Sequence, residues 1–170
     1  IVVPYVRSAA EVAEAVGYAK YPPEGVRGIG AERSTRWGQG ILQCVPRANE
    51  NSLVWVMMET VEAGDRIDQI LDVPGVDAVF FGLHDYSATS GFPGTADQAQ
   101  VMKRAMEIQQ RVRDRRVPSG ILASERADIQ RRLGEGFRMI GLGFDTMLLV
   151  QAATQALEAA GRKVPESAWY

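Results

Sequence analysis

Two carboxylates stand where two consecutive predicted β-strands end. Glu59 follows the apolar run 53–58, and Asp85 follows the apolar run 77–83 after one intervening residue. Because neighbouring parallel strands lie about 4.8 Å apart, side chains at their carboxyl ends can converge on one ion. Two carboxylates with waters suit a hard divalent cation such as Mg²⁺ or Mn²⁺ and leave positions open for substrate oxygens. The alternative is that both acids only stabilise the N-termini of the helices that follow.

Other groups near strand ends give less specific signals. His84 is the single histidine, and a metal ligand, a base and a polar packing residue are all open interpretations of it. Asp145 is placed to cap the last helix, and Cys44 has no histidine nearby to activate a thiol. Gly141 and Gly143 lack the spacing of a dinucleotide-binding loop, so they indicate either close approach of a ligand or tight strand packing.

Alternating strands and helices must position these residues. Short apolar runs predict five strands, at residues 1–6, 53–58, 77–83, 119–123 and 137–142. Amphipathic segments predict five helices, at residues 9–20, 61–71, 96–115, 124–133 and 145–160. This alternation predicts an α/β fold with a parallel sheet, in which ligands bind at the carboxyl ends of the strands.

Local signals fix some boundaries and leave two loops. Ser8 with Glu11 forms the pattern of a capping box before the first helix, and Pro22 with Pro23 ends that helix. Residues 22–52 and 84–94 are predicted to be irregular, and a loop as long as the first is usually functional. Three arginines of this first loop are candidates for contact with an anionic substrate or for a solvated charged surface: Arg27, Arg33 and Arg36.

Composition excludes several classes of protein. The 170 residues include 19 Lys and Arg against 21 Asp and Glu, a net charge of −2, which argues against a nucleic-acid partner. No apolar run approaches the roughly 20 residues of a membrane span, and no signal peptide is visible. A single cysteine excludes an internal disulfide, so a reducing, cytoplasmic location is expected.

Several segments together resemble one known family over nearly all the chain, up to about residue 160. The segments are residues 1–6 (IVVPYV), 21–30 (YPPEGVRGIG), 58–60 (MET), 75–82 (GVDAVFFG), 85–87 (DYS), 120–123 (GILA) and 141–146 (GLGFDT). In this order and spacing the chain resembles the HpcH/HpaI aldolase/citrate lyase family. The resemblance implies a TIM (β/α)8 barrel of the phosphoenolpyruvate/pyruvate superfamily, of which about the last five βα units are present.

The resemblance also implies site residues and a reaction. The two metal-binding carboxylates of the family fall on Glu59 and Asp85, and the substrate site on Gly82, Leu83, His84 and Leu122. The implied reaction is class II, metal-dependent cleavage or formation of a carbon–carbon bond next to a 2-oxo acid enolate. A divalent cation, with Mg²⁺ expected and Mn²⁺ or Co²⁺ as alternatives, stabilises the enolate charge.

The implied partners are a pyruvate- or oxaloacetate-type 2-oxo acid, an aldehyde, and further copies of the chain in a homo-oligomer, often a hexamer. Three positions depart from the family pattern: Met57 replaces a common glutamine, His84 a small residue, and Tyr86 a leucine. All three are expected to border the substrate. Met57 and His84 motivate one alternative, a catalytically impaired or non-catalytic relative that binds a keto acid or serves as a subunit.

The predicted strand count is lower than a complete barrel requires. A TIM barrel has eight strands and typically about 250 residues, so residues 1–160 are expected to be the C-terminal portion of a single barrel domain. Residues 161–170 are expected to be a C-terminal tail. The catalytic histidine and arginine of the family match no residue of this chain and are expected before residue 1, with His84 as the alternative candidate. The fragment alone is therefore expected to be inactive.

Overall fold

The computed structural model describes residues 1–163, so most of the predicted tail at 161–170 lies outside the described residues. Five strands form one parallel sheet in their order along the chain, which confirms the predicted strand number and direction. The strands are β1 Val2–Val3, β2 Trp55–Met58, β3 Ala78–Phe81, β4 Ser119–Leu122 and β5 Met139–Gly141. Each is shorter than its predicted run.

Helices cross over between the strands and cover one face of the sheet. Within residues 1–163 they are α1 Ala9–Ala19, α2 Ile41–Ala48, α3 Val61–Asp65, α4 Ile67–Leu71, α5 Leu83–Thr89, α6 Ala99–Asp114, α7 Arg126–Gly134 and α8 Asp145–Ala159. A short 3-10 turn, Arg33–Thr35, precedes α2. No helix in this part of the chain is long and apolar enough to cross a membrane.

The two faces of the sheet differ in burial because side chains alternate along each strand. Val56, Met58, Val79 and Phe81 point to the covered face and belong to the core beneath the helices. Phe137 extends this core and meets Phe81 edge to face, with ring centroids 5.3 Å apart. The opposite face carries half-buried side chains, so only one of the two faces is fully covered by the described residues.

The first helix begins and ends close to its predicted limits. The Ser8 hydroxyl accepts a hydrogen bond from the Glu11 N–H at 3.3 Å. The Glu11 carboxylate accepts from the N–H of Arg7 at 2.8 Å, one residue before the partner of a standard capping box. The helix stops at Ala19, before Tyr21 and the two prolines, as predicted.

Three sequence predictions about secondary structure are wrong. The stretch 22–52 is not irregular throughout, because it contains α2, whose Pro46 and flanking glycines gave no helical signal. The predicted helix 61–71 is two helices, which meet where Arg66 adopts φ −102° and ψ 17°. The predicted loop 84–94 begins with α5, so His84 and Asp85 lie in a helical first turn.

Candidate active site

A cavity of about 540 Å³ opens at the carboxyl ends of β2 to β5. Six residues that the sequence marks as candidates line it: Glu59, Gly82, Leu83, His84, Asp85 and Leu122. They come from three different strand ends, since Glu59 follows β2, residues 82–85 follow β3, and Leu122 ends β4. The parallel sheet brings them together, as ligand sites in such sheets require.

Main-chain groups lie against both oxygens of the Glu59 carboxylate. The side chain is 2% exposed, and its Oε1 accepts a hydrogen bond of 2.6 Å from the backbone N–H of Tyr5. Its Oε2 lies against Gly82, where a Cβ would stand only 2.6 Å from that oxygen. The carboxylate is therefore placed by main chain that follows β1 and β3, the two strands that flank β2.

Hydrogen bonds around Glu59 hold its own backbone in place. The carbonyl oxygen of Glu59 accepts from the Thr89 hydroxyl at 3.4 Å, which ties the end of β2 to α5. The Thr60 hydroxyl donates to the carbonyl of Val6 at 3.0 Å and accepts from the N–H of Ala63 at 3.1 Å. Thr60 thus caps α3 and joins the ends of β1 and β2.

Burial and charge both act on Glu59. Burial raises the pKa of its carboxyl above the ordinary value, and the nearby negative charge of Asp85 raises the pKa further, while the hydrogen bond from Tyr5 acts in the opposite direction. Asp85 is exposed to the cavity in the first turn of α5. Two acids that repel one another across a partly enclosed space are stabilised together by a cation between them.

The donor set fits a divalent cation that keeps open positions. No group of three or more His, Cys, Asp or Glu side chains within residues 1–163 is placed to hold a metal ion. Four carboxylates line the cavity, of which Asp128 is paired with Arg131 and Arg132 and Asp97 follows no strand end. Glu59 and Asp85 follow the adjacent strands β2 and β3, and Mg²⁺ is commonly held by one or two carboxylates in sites shared with substrate oxygens. The bare backbone of Gly82 leaves room for Oε2 of Glu59.

The β4 and β5 side of the cavity is more apolar and more open. Leu122 is 37% exposed and Phe144 55% exposed, and both line the cavity with Met147. The charged residues there are already paired: Arg131 contacts Asp128, and the buried Arg132 lies 3.3 Å from Asp128 and 3.0 Å from Glu135. The β4–β5 wall therefore offers a substrate apolar contact surface and little unpaired charge.

Several residues singled out in the sequence lie away from the cavity. Arg27, Arg33 and Arg36 do not line it, and the Arg27 guanidinium stands 4.6 Å from the centre of the Tyr21 ring. Asp145 is the first residue of α8 rather than its cap, and its carboxylate accepts from the N–H of Thr146 at 2.8 Å. Cys44 also lies outside the cavity lining.

Of the three departures from the family pattern, two face the cavity. Met57 and His84 line it, and the Met57 methyl lies 3.3 Å from the position of a Cβ on Gly82. Tyr86 is 2% exposed and packs in the core under α3 and α6, on the opposite side of α5. The change from leucine to tyrosine at this position therefore alters core packing rather than the cavity wall.

Nothing in the sequence indicated that Tyr5 contacts the carboxylate of Glu59. Its contribution comes from the peptide N–H, which every residue except proline carries, so residue type gave no signal. Its backbone has φ 55°, a left-handed conformation that is uncommon outside glycine. The apolar run 1–6 predicts a continuous strand, and this turn after Val3 was not expected.

Relatives of known name match most of the chain. It is 38% identical over 161 residues to a 4-hydroxy-2-oxo-heptane-1,7-dioate aldolase of Escherichia coli, covering 94% of this chain and 61% of that protein. It is 35% identical over 167 residues to a 4-hydroxy-2-oxovalerate aldolase of Rhodococcus jostii, covering 98% of this chain and 64% of that protein. The chain thus spans less than two thirds of the length of these relatives.

A solved structure supports the same grouping. An HpcH/HpaI aldolase/citrate lyase family protein of Burkholderia cenocepacia superposes with a TM-score of 0.85 at 26% identity, over 94% of this chain and 64% of that one. This likeness confirms the predicted fold class, five consecutive βα units of a TIM barrel. The family model for HpcH/HpaI aldolase/citrate lyase matches residues 1–152. The chain therefore belongs to the HpcH/HpaI aldolase/citrate lyase family.

Proposed function

We propose that this chain carries the metal-binding part of a class II aldolase or lyase that makes or breaks a carbon–carbon bond next to a 2-oxo acid enolate. The observation that carries the proposal is the pair Glu59 and Asp85 facing one cavity at the ends of adjacent strands. The names of the Escherichia coli and Rhodococcus jostii relatives point to 4-hydroxy-2-oxo acids as the substrate class.

The chemistry of such a reaction requires stabilisation of negative charge. A divalent cation, Mg²⁺ in the first place, supplies Lewis-acid stabilisation of an enolate when it is bound. Glu59 and Asp85 would hold it, and the Tyr5 N–H and the bare backbone of Gly82 fix the position of the Glu59 carboxylate. Cleavage of a 4-hydroxy-2-oxo acid then gives a pyruvate-type 2-oxo acid and an aldehyde.

The first turn of α5 is proposed to bind the substrate carboxylate. The first N–H groups of a helix have no acceptor within the helix, and they attract anions. In α5 the N–H groups of Leu83 and Asp85 are of this kind, and both residues line the cavity together with Gly82 and His84. Backbone donors bind a carboxylate without adding a countercharge that would compete with the cation.

Leu122 is proposed to contact the remainder of the substrate. It extends from the end of β4 into the cavity, opposite the Glu59 side, and is 37% exposed there. An apolar side chain in this position limits the space beside the reacting carbon atoms without contributing charge. It is therefore expected to affect substrate choice more than the chemical step.

The test is release of pyruvate from 4-hydroxy-2-oxo acids by the full-length protein, measured by a coupled assay with lactate dehydrogenase and NADH. Activity is expected to depend on added Mg²⁺ or Mn²⁺, to disappear with EDTA, and to return when excess metal is added. Activity that persists without metal, or that survives both Glu59→Gln and Asp85→Asn, would contradict the proposal.

One observation favours a second candidate function, binding of a keto acid without turnover. Met57 places an apolar side chain next to Gly82, at a position where the family often has glutamine. Calorimetric titration with Mn²⁺ and oxalate, run beside the pyruvate assay, separates the two functions. Binding of both by the full-length protein, without turnover of any 4-hydroxy-2-oxo acid, favours the second.

A further inference from the structure

Tyr5 adopts a strained backbone conformation that local structure does not explain. Of the four non-glycine residues with positive φ in the part of the chain that the structure describes, Arg36, Trp37 and Arg116 lie in a loop or just after a helix. Tyr5, with φ 55°, also lies in a loop, but its N–H donates to the Glu59 carboxylate 54 residues away, whereas the N–H groups of the other three donate to backbone carbonyls within five residues. Strained conformations of this kind persist where the surrounding structure imposes them, and they concentrate at functional sites.

The side chain of Tyr5 gives no reason for this conformation. It is 46% exposed, so it is not held by burial in the core. The backbone does have a partner, because the N–H of Tyr5 donates to Oε1 of Glu59 at 2.6 Å, across 54 residues of sequence. The next residue is also held, since the Val6 carbonyl accepts from the Thr60 hydroxyl at 3.0 Å. The turn at Tyr5 thus aims one peptide N–H at one carboxylate oxygen.

The second oxygen of Glu59 is placed by the absence of a side chain at residue 82. An alanine Cβ there would stand 2.6 Å from Oε2 and 2.9 Å from the Cβ of Glu59, closer than real Cβ atoms come. Gly82 is itself fixed, because its N–H donates to the Met58 carbonyl at 3.1 Å in the β2–β3 ladder. The carboxylate is therefore confined between a donor on one side and bare backbone on the other.

We propose that Tyr5 and Gly82 are positioning residues: the Tyr5 N–H occupies Oε1 of Glu59 so that Oε2 is presented to a divalent cation. This inference rests on the proposed metal-binding role of Glu59 and adds the part that orients it. Groups that hydrogen-bond to metal ligands fix their orientation, and their loss typically weakens metal binding about 10- to 100-fold.

Replacing one backbone atom tests the donor directly. Incorporation of the α-hydroxy analogue of tyrosine at position 5, by nonsense suppression, replaces the N–H by an ester oxygen and keeps the side chain. Mn²⁺ affinity, measured by electron paramagnetic resonance of the free ion, is expected to fall about tenfold or more. The matched control is the same analogue at Tyr18, an exposed residue of α1 that also loses a backbone hydrogen bond. Its affinity is expected to stay within about twofold.

Gly82→Ala tests the other side of the carboxylate, with Gly134→Ala as its control. A Cβ at Gly134 meets no atom within 4 Å, so this substitution is expected to leave Mn²⁺ affinity unchanged. Gly82→Ala is expected to weaken Mn²⁺ binding at least as much as the ester at Tyr5. If Gly82→Ala fails to fold, the ester at Tyr5 decides alone.

A spectroscopic signature of the hydrogen bond completes the test. The chain has five tyrosines, so labelling with ¹⁵N-tyrosine gives five amide signals. A short bond to a carboxylate should move the Tyr5 proton signal strongly downfield, and Glu59→Gln should move it back. A Tyr5 signal at an ordinary position, or an ester variant that binds Mn²⁺ as well as the wild type, would overturn the inference.

The controls separate this inference from the proposed function. If Asp85→Asn abolishes Mn²⁺ binding while the ester at Tyr5 leaves it unchanged, the metal site stands and the positioning role falls. If the wild-type protein binds no Mn²⁺, both fall together.

Discussion

The β2–β3 wall and the β4–β5 wall of the cavity differ in burial and in charge. On the β2–β3 wall, Glu59 is 2% exposed and its carboxylate is fixed by Tyr5 and Gly82. On the β4–β5 wall, Leu122 and Phe144 are 37% and 55% exposed and make no hydrogen bond through their side chains. The first wall holds charge in a defined geometry, whereas the second offers exposed apolar contact surface.

The difference indicates where substitutions should matter most. A buried carboxylate loses its function when its geometry or charge changes, because low polarity around it strengthens every electrostatic interaction. An exposed apolar contact contributes in proportion to the area it covers, and it can be replaced by similar surface. Changes on the β2–β3 wall should therefore affect the reaction itself, and changes on the β4–β5 wall the choice of substrate.

The largest effect is expected for Glu59→Gln and Asp85→Asn. Each removes one of the two charged ligands, so Mn²⁺ binding should weaken more than the roughly 100-fold typical of losing an outer partner. Titration with Mn²⁺ and the pyruvate assay measure the two consequences. Asp145→Asn is the control, since that carboxylate is exposed and lies outside the cavity lining. An equal loss in the control would show that the loss is not specific to the two cavity carboxylates.

A smaller and different effect is expected for Leu122→Ala on the opposite wall. Loss of apolar contact in a pocket costs about 10- to 200-fold in discrimination, and the partial exposure of Leu122 places it near the lower limit. KM for 4-hydroxy-2-oxo acids should rise by about tenfold, while Mn²⁺ affinity stays constant. A selective fall in kcat, with KM unchanged, would instead assign Leu122 a role in the chemical step.

His84→Ala is expected to produce a still smaller change, of a few fold in kcat/KM. His84 lines the cavity next to Asp85, and the proposed substrate contact there is made by the backbone of α5, which the alanine variant retains. General acid–base groups contribute about 10²- to 10⁴-fold, so a loss of that size would reveal a catalytic imidazole. Kinetics across several pH values distinguish the two outcomes.

The smallest expected effect concerns the stability of the metal-free protein. Burial raises the pKa of Glu59 in the folded state, so its ionisation opposes folding. The stability contributed by the protonated carboxyl is present at low pH and is lost as pH rises through the raised pKa. Metal-free Glu59→Gln should therefore melt a few degrees above the wild type at neutral pH, where about 1 kcal/mol corresponds to roughly 2–4 °C.

Two further melting curves complete the test of stability. The difference between the two proteins should shrink at acidic pH, where Glu59 is protonated in both states. Saturating Mn²⁺ should reverse the order, because it stabilises only the protein that binds it. A wild type that melts above Glu59→Gln at neutral pH without metal would contradict the electrostatic account.

Much of the scaffold follows from the sequence, because short-range signals agree with the final packing. The apolar runs place all five strands, and Ser8 marks the start of α1. The convergence of Glu59 and Asp85 also follows, since strand ends in a parallel sheet share one edge. The family resemblance is borne out by the match over residues 1–152.

The errors arise where a helix lacks the usual sequence pattern. The helix α5 has seven residues and begins after Gly82, too short a segment to display an apolar stripe. Pro46 and flanking glycines hide α2, and the break between α3 and α4 falls on Arg66, an ordinary helix former. In each case tertiary packing determines the secondary structure, because the helix preference of the local sequence is weak or misleading.

The orientation of the site was beyond prediction for a different reason. A peptide N–H is common to almost every residue, so the hydrogen bond from Tyr5 to Glu59 leaves no trace in residue type. Gly82 is equally uninformative in the sequence, because a glycine after a strand is also typical of a turn. Only the distances between chain segments far apart in sequence reveal that both act on one carboxylate.

The most direct test of the central claim is anomalous diffraction from crystals grown with Mn²⁺ and oxalate, a mimic of the pyruvate enolate. The account predicts one strong manganese peak between the carboxylates of Glu59 and Asp85, with oxalate completing its coordination beside the first turn of α5. No peak there at saturating Mn²⁺, or a peak held by other residues, would contradict it.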